Sequence, residues 1–217
     1  MSLFNWGGRK STPSSSTTST PTAAESASEP AALSKVLPKV FSALANANAP
    51  TIMDLGPVVG ANISFFGEEL ACKILVEDLF AVVETHAKAG TRELLGDALV
   101  ARMSRQPGSA DGILCWDLFD YLDKPSSKAL ATVLTTLLRP GGVLYAFFGS
   151  KPANLTHYTR YTVEARDKLR MRSVPATPTP RNVLVTRDIN RMFEGLIVGE
   201  SVLLKSNARE TLFRKPA

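Results

Sequence analysis

Thr51-Ile52-Met53-Asp54-Leu55-Gly56-Pro57-Val58-Val59-Gly60 is the stretch on which the fold turns. A short apolar run ends there in an acidic residue and a glycine-bearing turn, the way a βαβ unit opens over a nucleotide-like ligand. Far downstream, Leu138-Arg139-Pro140-Gly141-Gly142-Val143-Leu144-Tyr145-Ala146 reads as a helix end, a Pro-Gly-Gly turn and another buried strand. Together the two passages predict a ligand-binding α/β domain.

Working outward, Leu33, Val36, Leu37, Val40, Phe41 and Leu44 recur at helical spacing behind Ser34, which suits an N-cap. A helix is therefore expected before the first strand, with Pro38 acceptable only in its first turn. After strand Thr51–Leu55 the pattern predicts a helix over about Asn62–Cys72, with Ile63, Phe66 and Leu70 facing inward. Lys73–Val76 follows as a second strand ending in Glu77-Asp78, and a helix follows around Phe80–Lys88. Arg92–Met103 reads either as a weak strand and a helix or as one helix.

Asp111–Asp117 resumes as a buried strand, Ser126 caps a helix through Leu138, and Gly142–Phe148 is the next strand. Beyond Gly149 the apolar residues alternate through Tyr158–Val163 and Leu169–Val174, predicting a β-hairpin over about 157–175. Thr186 can cap a short helix through Met192. Leu196–Leu204 and Glu210–Arg214 form a closing antiparallel pair around Ser206-Asn207.

The chain has 217 residues, 44% of them apolar, enough for one sizeable core. Cys72 and Cys115 stand alone, without CxxC spacing or a nearby His, so neither a disulfide scaffold nor a metal site is indicated. No apolar run approaches the roughly 20 residues that cross a bilayer, and the N-terminus lacks a signal-peptide core. The expected location is cytoplasmic. The net charge is +5, and its basic excess belongs to residues 151–217, with 13 basic and 6 acidic side chains. Arg160, Arg166, Lys168, Arg170 and Arg172 concentrate on the hairpin, but no stacking platform interleaves them, so nucleic acid is not indicated. Residues 11–30 hold 15 Ser, Thr or Pro and no large apolar side chain, so residues 1–30 are read as a disordered tail ahead of a domain spanning 31–217.

This order of elements resembles the class I S-adenosylmethionine-dependent methyltransferases over about residues 33–217. The match rests on a leading helix, alternating strands and helices, a Pro-Gly-Gly turn into the fifth strand, and a terminal antiparallel pair. The family's D-x-G-x-G-x-G loop is matched at Asp54, Gly56 and Gly60, while Val58 replaces its middle glycine. The implied fold is a Rossmann-like, doubly wound, mostly parallel seven-stranded sheet with an antiparallel C-terminal strand and an added hairpin after the fifth strand. Val58 narrows the approach of backbone to ligand. That weighs more against a dinucleotide pyrophosphate, and so against a nicotinamide oxidoreductase, than against S-adenosylmethionine, which carries no phosphate.

The resemblance implies that Asp54, Gly56 and Gly60 meet the cofactor, and that an acid ending the second strand, Asp78 or Glu77, bonds its ribose hydroxyls. Either acid could instead cap the next helix. Asp97, in Leu94-Leu95-Gly96-Asp97-Ala98, resembles the residue that holds the adenine amino group, or is a solvated loop carboxylate. Trp116 either lines the cofactor pocket or packs in the core. Asp117, Asp120 and Tyr121 rim the same place, and His157, Tyr158 and Tyr161 follow the fifth strand, where an acceptor pocket is expected. Tyrosines three apart on an alternating strand fall on opposite faces, and cross-strand pairing also explains them. No catalytic residue is legible. The expected activity is methyl transfer from S-adenosylmethionine to an unidentified acceptor, without a metal. The alternative is a non-catalytic binding or scaffold protein on the same fold.

Overall fold

The computed structural model describes residues 31–217, so the assignment of residues 1–30 lies outside the described residues. The chain runs β1 (Ala32–Leu33), α1 (Leu37–Leu44), β2 (Thr51–Asp54), α2 (Gly60–Leu70), β3 (Lys73–Val76), α3 (Leu79–Ala89) and α4 (Leu95–Arg102). It continues through β4 (Ala110–Trp116), α5 (Lys124–Leu137), β5 (Leu138–Gly149), β6 (Asn154–Ala165), β7 (Lys168–Pro180), α6 (Thr186–Met192), β8 (Ile197–Leu203) and β9 (Ala208–Arg214).

Six strands form one sheet in the order β3-β2-β4-β5-β9-β8. The first four are parallel and β9 and β8 are antiparallel. The alternating topology is Rossmann-like, and its antiparallel end is the one expected from the sequence. Six strands rather than the expected seven form because Arg92–Leu94 is a 3-10 turn running into α4, which leaves β3 at the edge. The ambiguous Arg92–Met103 stretch thus contributes no strand.

Alternation along the central strands divides the core in two. Met53, Leu55, Ile113, Cys115, Leu144, Ala146 and Phe213 point to the side covered by α3, α4, α5 and α6. Ile52, Leu114, Trp116, Val143, Tyr145 and Leu212 point to the other side, where α1, α2 and the β6–β7 hairpin cover them. The hairpin is longer than its expected 157–175 bounds and pairs with β1 in a separate three-stranded sheet. Asn62 ties it down: Nδ2 donates to the Tyr161 carbonyl at 3.0 Å, and Oδ1 accepts from Val163 N–H at 2.8 Å.

Local chemistry sets the element ends. Ser34 Oγ accepts from Leu37 N–H at 2.8 Å just ahead of α1, but the N-cap position is Val36 rather than the expected Ser34, with Pro38 in the first turn. Leu33 precedes that helix in β1 and is 74% exposed, so it does not belong to the helical pattern that the spacing predicts. On α2 Phe66 and Leu70 are buried but Ile63 is exposed, because the helix begins at Gly60 and buries Asn62 instead. The cap of α5 is Asp123, which accepts from Ser126 N–H at 2.8 Å, in place of Ser126 itself. Pro140-Gly141-Gly142 forms a bulge inside β5, with Gly141 at φ +78°, where a side chain would be strained.

Candidate functional site

The sheet changes winding direction between β2 and β4, whose neighbours lie on opposite sides, so a cleft opens beyond their C-terminal ends. Asp54 closes β2 there and is almost wholly buried. Its Oδ1 accepts from Gly56 N–H at 2.9 Å and from Trp116 Nε1–H at 2.6 Å. Burial raises the Asp54 pKa, and these two bonds oppose the shift only in part.

Trp116 ends β4 with φ +52°, an unusual backbone for a bulky residue. That turn lays the indole against Gly56, where an added Cβ would sit 2.7 Å from Trp116 Cδ1. Tyr161 of β6 stacks on the indole at 4.9 Å between centroids, and Phe147 of β5 stacks on Tyr161 at 5.1 Å. A three-ring column from the hairpin and two core strands therefore stands over the Asp54–Gly56 turn. Tyr158 faces the other way and packs edge-on against Phe80 and Tyr121, so the two tyrosines do lie on opposite faces.

At the end of β3, Glu77 is buried beneath two arginines: Arg102 Nε lies 3.1 Å from its carboxylate, and Arg105 is also paired with it. Asp78 caps α3 by accepting from Ala81 N–H at 3.2 Å. The two acids border an open groove of about 430 Å³ shared with Val82, His86 and Arg102. Gly60 begins α2 with open space around it, and Val58 is 59% exposed. Asp97 is exposed in the first turn of α4 and borders neither this groove nor the cavity described next.

On the far side of the aromatic column, a cavity of about 200 Å³ lies over the ends of β4 and β5. Asp117 and Asp120 line it. Asp120 accepts from Gly149 N–H at 2.9 Å and pairs with Arg181, whose Nε is 2.9 Å away. Asp117 is 9% exposed and its Oδ1 has no hydrogen-bond partner. Burial, then the charge of Asp120, pushes the Asp117 carboxyl up to about 7, and burial pushes Asp120 up to about 6.

Of the expected site residues, the structure brings Asp54, Gly56 and Trp116 into direct contact and sets Glu77 and Asp78 on the neighbouring strand end. Asp117 is separate from Tyr121, His157 and Tyr158. Tyr121 donates its hydroxyl to the His157 carbonyl at 2.7 Å, and the His157 side chain is exposed. Tyr158 donates to Glu84. Arg102, Arg105, Thr159 and Arg181 carry no sequence signal, since each is defined by a partner distant in the chain. Phe147 shows in the sequence only as an apolar position on a strand, whereas Tyr161, expected near an acceptor pocket, is stacked on Trp116.

The acids at the ends of β2 and β3 suit a hydroxyl-rich nucleoside, because a carboxylate accepts two donors at once. The Trp116 indole occupies the space against Gly56, so a ligand approaching that backbone must move the ring.

No protein-family model matches the chain. A ubiquinone biosynthesis O-methyltransferase from Cupriavidus pinatubonensis is 32% identical over 114 residues, which cover 52% of this chain and 42% of that protein. The match thus spans less than half the length of this curated relative. Similar solved structures include the 1,6-didemethyltoxoflavin-N1-methyltransferase of Burkholderia thailandensis, described with bound 1,6-didemethyltoxoflavin and S-adenosylhomocysteine. It has 13% identity over 84% of this chain and 79% of that one, with a TM-score of 0.48. Streptomyces venezuelae DesVI has 15% identity over 84% of this chain and 93% of that one, with a TM-score of 0.47.

Among the described residues, no helix is long and apolar enough to cross a membrane, and no group of three or more His, Cys, Asp or Glu is disposed to hold a metal ion.

Proposed function

We propose that this protein transfers a methyl group from S-adenosylmethionine to an acceptor nucleophile, with S-adenosylhomocysteine as product. The observation that carries the reading is the meeting of Asp54 and Gly56 at the switch point of the sheet, beside the Glu77–Asp78 end of β3 and its groove. The bound cofactor supplies an activated methyl on a sulfonium. The chain's own contribution is to align the acceptor and to accept its proton where it has one. Asp54, held by Gly56 and Trp116, fixes the turn; Asp78 and Glu77 offer carboxylates to ribose hydroxyls; Gly60 leaves the start of α2 open. Asp97 is proposed as an adenine contact after movement of the α4 N-terminus. Asp117 supports acceptor binding from its own cavity, whereas Tyr121, His157 and Tyr158 do not line it and would meet only an acceptor that extends beyond it. We read the protein as cytoplasmic, consistent with free thiols at Cys72 and Cys115.

A second reading, a non-catalytic binding or scaffold protein on this fold, is favoured by the indole that fills the space against Gly56. The test is equilibrium binding of S-adenosylhomocysteine to the native chain and to Asp78→Ala. Methyl transfer predicts saturable binding that Asp78→Ala weakens by roughly tenfold or more. The scaffold reading predicts no binding by either.

A further inference from the structure

The cavity over the ends of β4 and β5 has an uneven charge. Two carboxylates and one guanidinium line it, and the guanidinium charge is already matched: Arg181 Nε lies 2.9 Å from Asp120 as an ion pair, though outside hydrogen-bond geometry, and Nη1 donates to the Lys151 carbonyl at 3.1 Å. Asp120 is further satisfied by Gly149 N–H. Asp117 has no cation, and one of its oxygens has no partner at all. A buried carboxylate left in this state is costly, and few native side chains are.

We propose that this cavity binds a small protonated amine, with the Asp117 carboxylate as its counter-ion. An ammonium group brings three donors and a single positive charge. Beyond Asp117, whose carboxylate the Thr159 and Tyr161 hydroxyls reach, Asn207 adds a polar side chain to the cavity, while the Phe147 ring supplies apolar wall. An anion would meet Asp117 and find Arg181 already paired. A divalent metal would need about six oxygen ligands, which this set does not supply. The cavity's 200 Å³ suits an amine of a few carbons or one ring. The assignment does not depend on methyl transfer: a scaffold could hold such an amine, and a methyltransferase could use it as acceptor once the ammonium has lost a proton to the Asp117 carboxylate or to water, which frees the nitrogen lone pair.

Isothermal titration of the full chain with ethylamine, benzylamine, benzyl alcohol and benzoate tests the proposal. An amine should bind saturably, and benzyl alcohol and benzoate at least roughly tenfold more weakly than benzylamine. Asp117→Asn, close in shape and relieved of a buried charge, should remain folded and lose roughly tenfold or more in amine affinity, whereas the distant Asp188→Asn should keep it. Binding of alcohol or benzoate as tight as that of benzylamine, unchanged amine affinity in folded Asp117→Asn, or no saturable binding of either amine would overturn it. Binding of S-adenosylhomocysteine, measured separately, reports on the cofactor and leaves this outcome untouched.

Discussion

The Trp116 indole donates to Asp54 Oδ1 at 2.6 Å, joining the ends of β4 and β2 across the cleft. The bond gives a buried carboxylate a donor, holds the ring against Gly56, and presents its face to Tyr161. Trp116→Phe keeps a ring but removes that donor. Its expected cost is about 2 kcal/mol in urea unfolding, because Asp54 stays buried with one partner fewer. A companion Asp54→Leu change should remove most of that penalty in a double-mutant cycle. Additive costs would show that the bond does not couple the two strand ends.

The hairpin should be separable from the sheet. Asn62→Ala deletes both side-chain bonds to β6 and is expected to cost about 2–3 kcal/mol. In native-state hydrogen exchange the Val163 amide should lose protection well beyond amides of β4. Equal loss across the whole sheet would mean that Asn62 stabilises the domain generally.

Gly149 has no room for a methyl group: an added Cβ would sit 2.5 Å from Arg181 Nε and 2.6 Å from Asp120 Oδ2. Gly149→Ala should therefore separate the Asp120–Arg181 pair and cost about 1–3 kcal/mol in chemical denaturation. An unchanged midpoint would place the Arg181 side chain elsewhere.

Asp117 ties stability to pH with a definite sign. Its folded carboxyl titrates at about 7 against an ordinary 3.8, so between those values the native state binds more protons than the unfolded one. Stability should accordingly fall as pH rises from about 4 to 7, with an Asp117 contribution on the order of 3 kcal/mol. Asp120, also raised, adds in the same direction over its own narrower range. Asp117→Asn should flatten the profile and gain stability above pH 7. Thermal unfolding across this range checks both, and a profile in the variant as steep as the native one would exclude Asp117 as the source.

How far the fold was legible follows from where its determinants lie. β2, β3 and β4 stand out because parallel strands, including the half-buried edge strand β3, are short apolar runs followed closely by acids, and those ends place Asp54, Glu77 and Asp78 without any long-range information. The short α4, with few apolar positions, follows a 3-10 turn, so its stretch carries no clean period. That is why the stretch reads equally as a weak strand and a helix or as one helix, and the expected seventh strand comes from the resemblance alone. Asp123 and Ser126 are both good caps three residues apart, and only backbone geometry separates them. The three-ring column and the Asp120–Arg181 pair arise between distant segments, where residue spacing is silent. Alternation put Tyr161 and Tyr158 on different faces but could not say that Tyr161 would meet Trp116.

Thermal unfolding of the chain with and without S-adenosylhomocysteine, at about 100 times its dissociation constant, addresses the cofactor cleft directly. Binding to the native state should add roughly 2.7 kcal/mol, which raises the midpoint by about 5–10 °C in a domain of this size. A shift of that order, reduced in Asp78→Ala, is the result expected of a methyltransferase. An unmoved midpoint, with calorimetry detecting no heat of binding, would contradict it and leave Trp116 as the permanent occupant of the cleft.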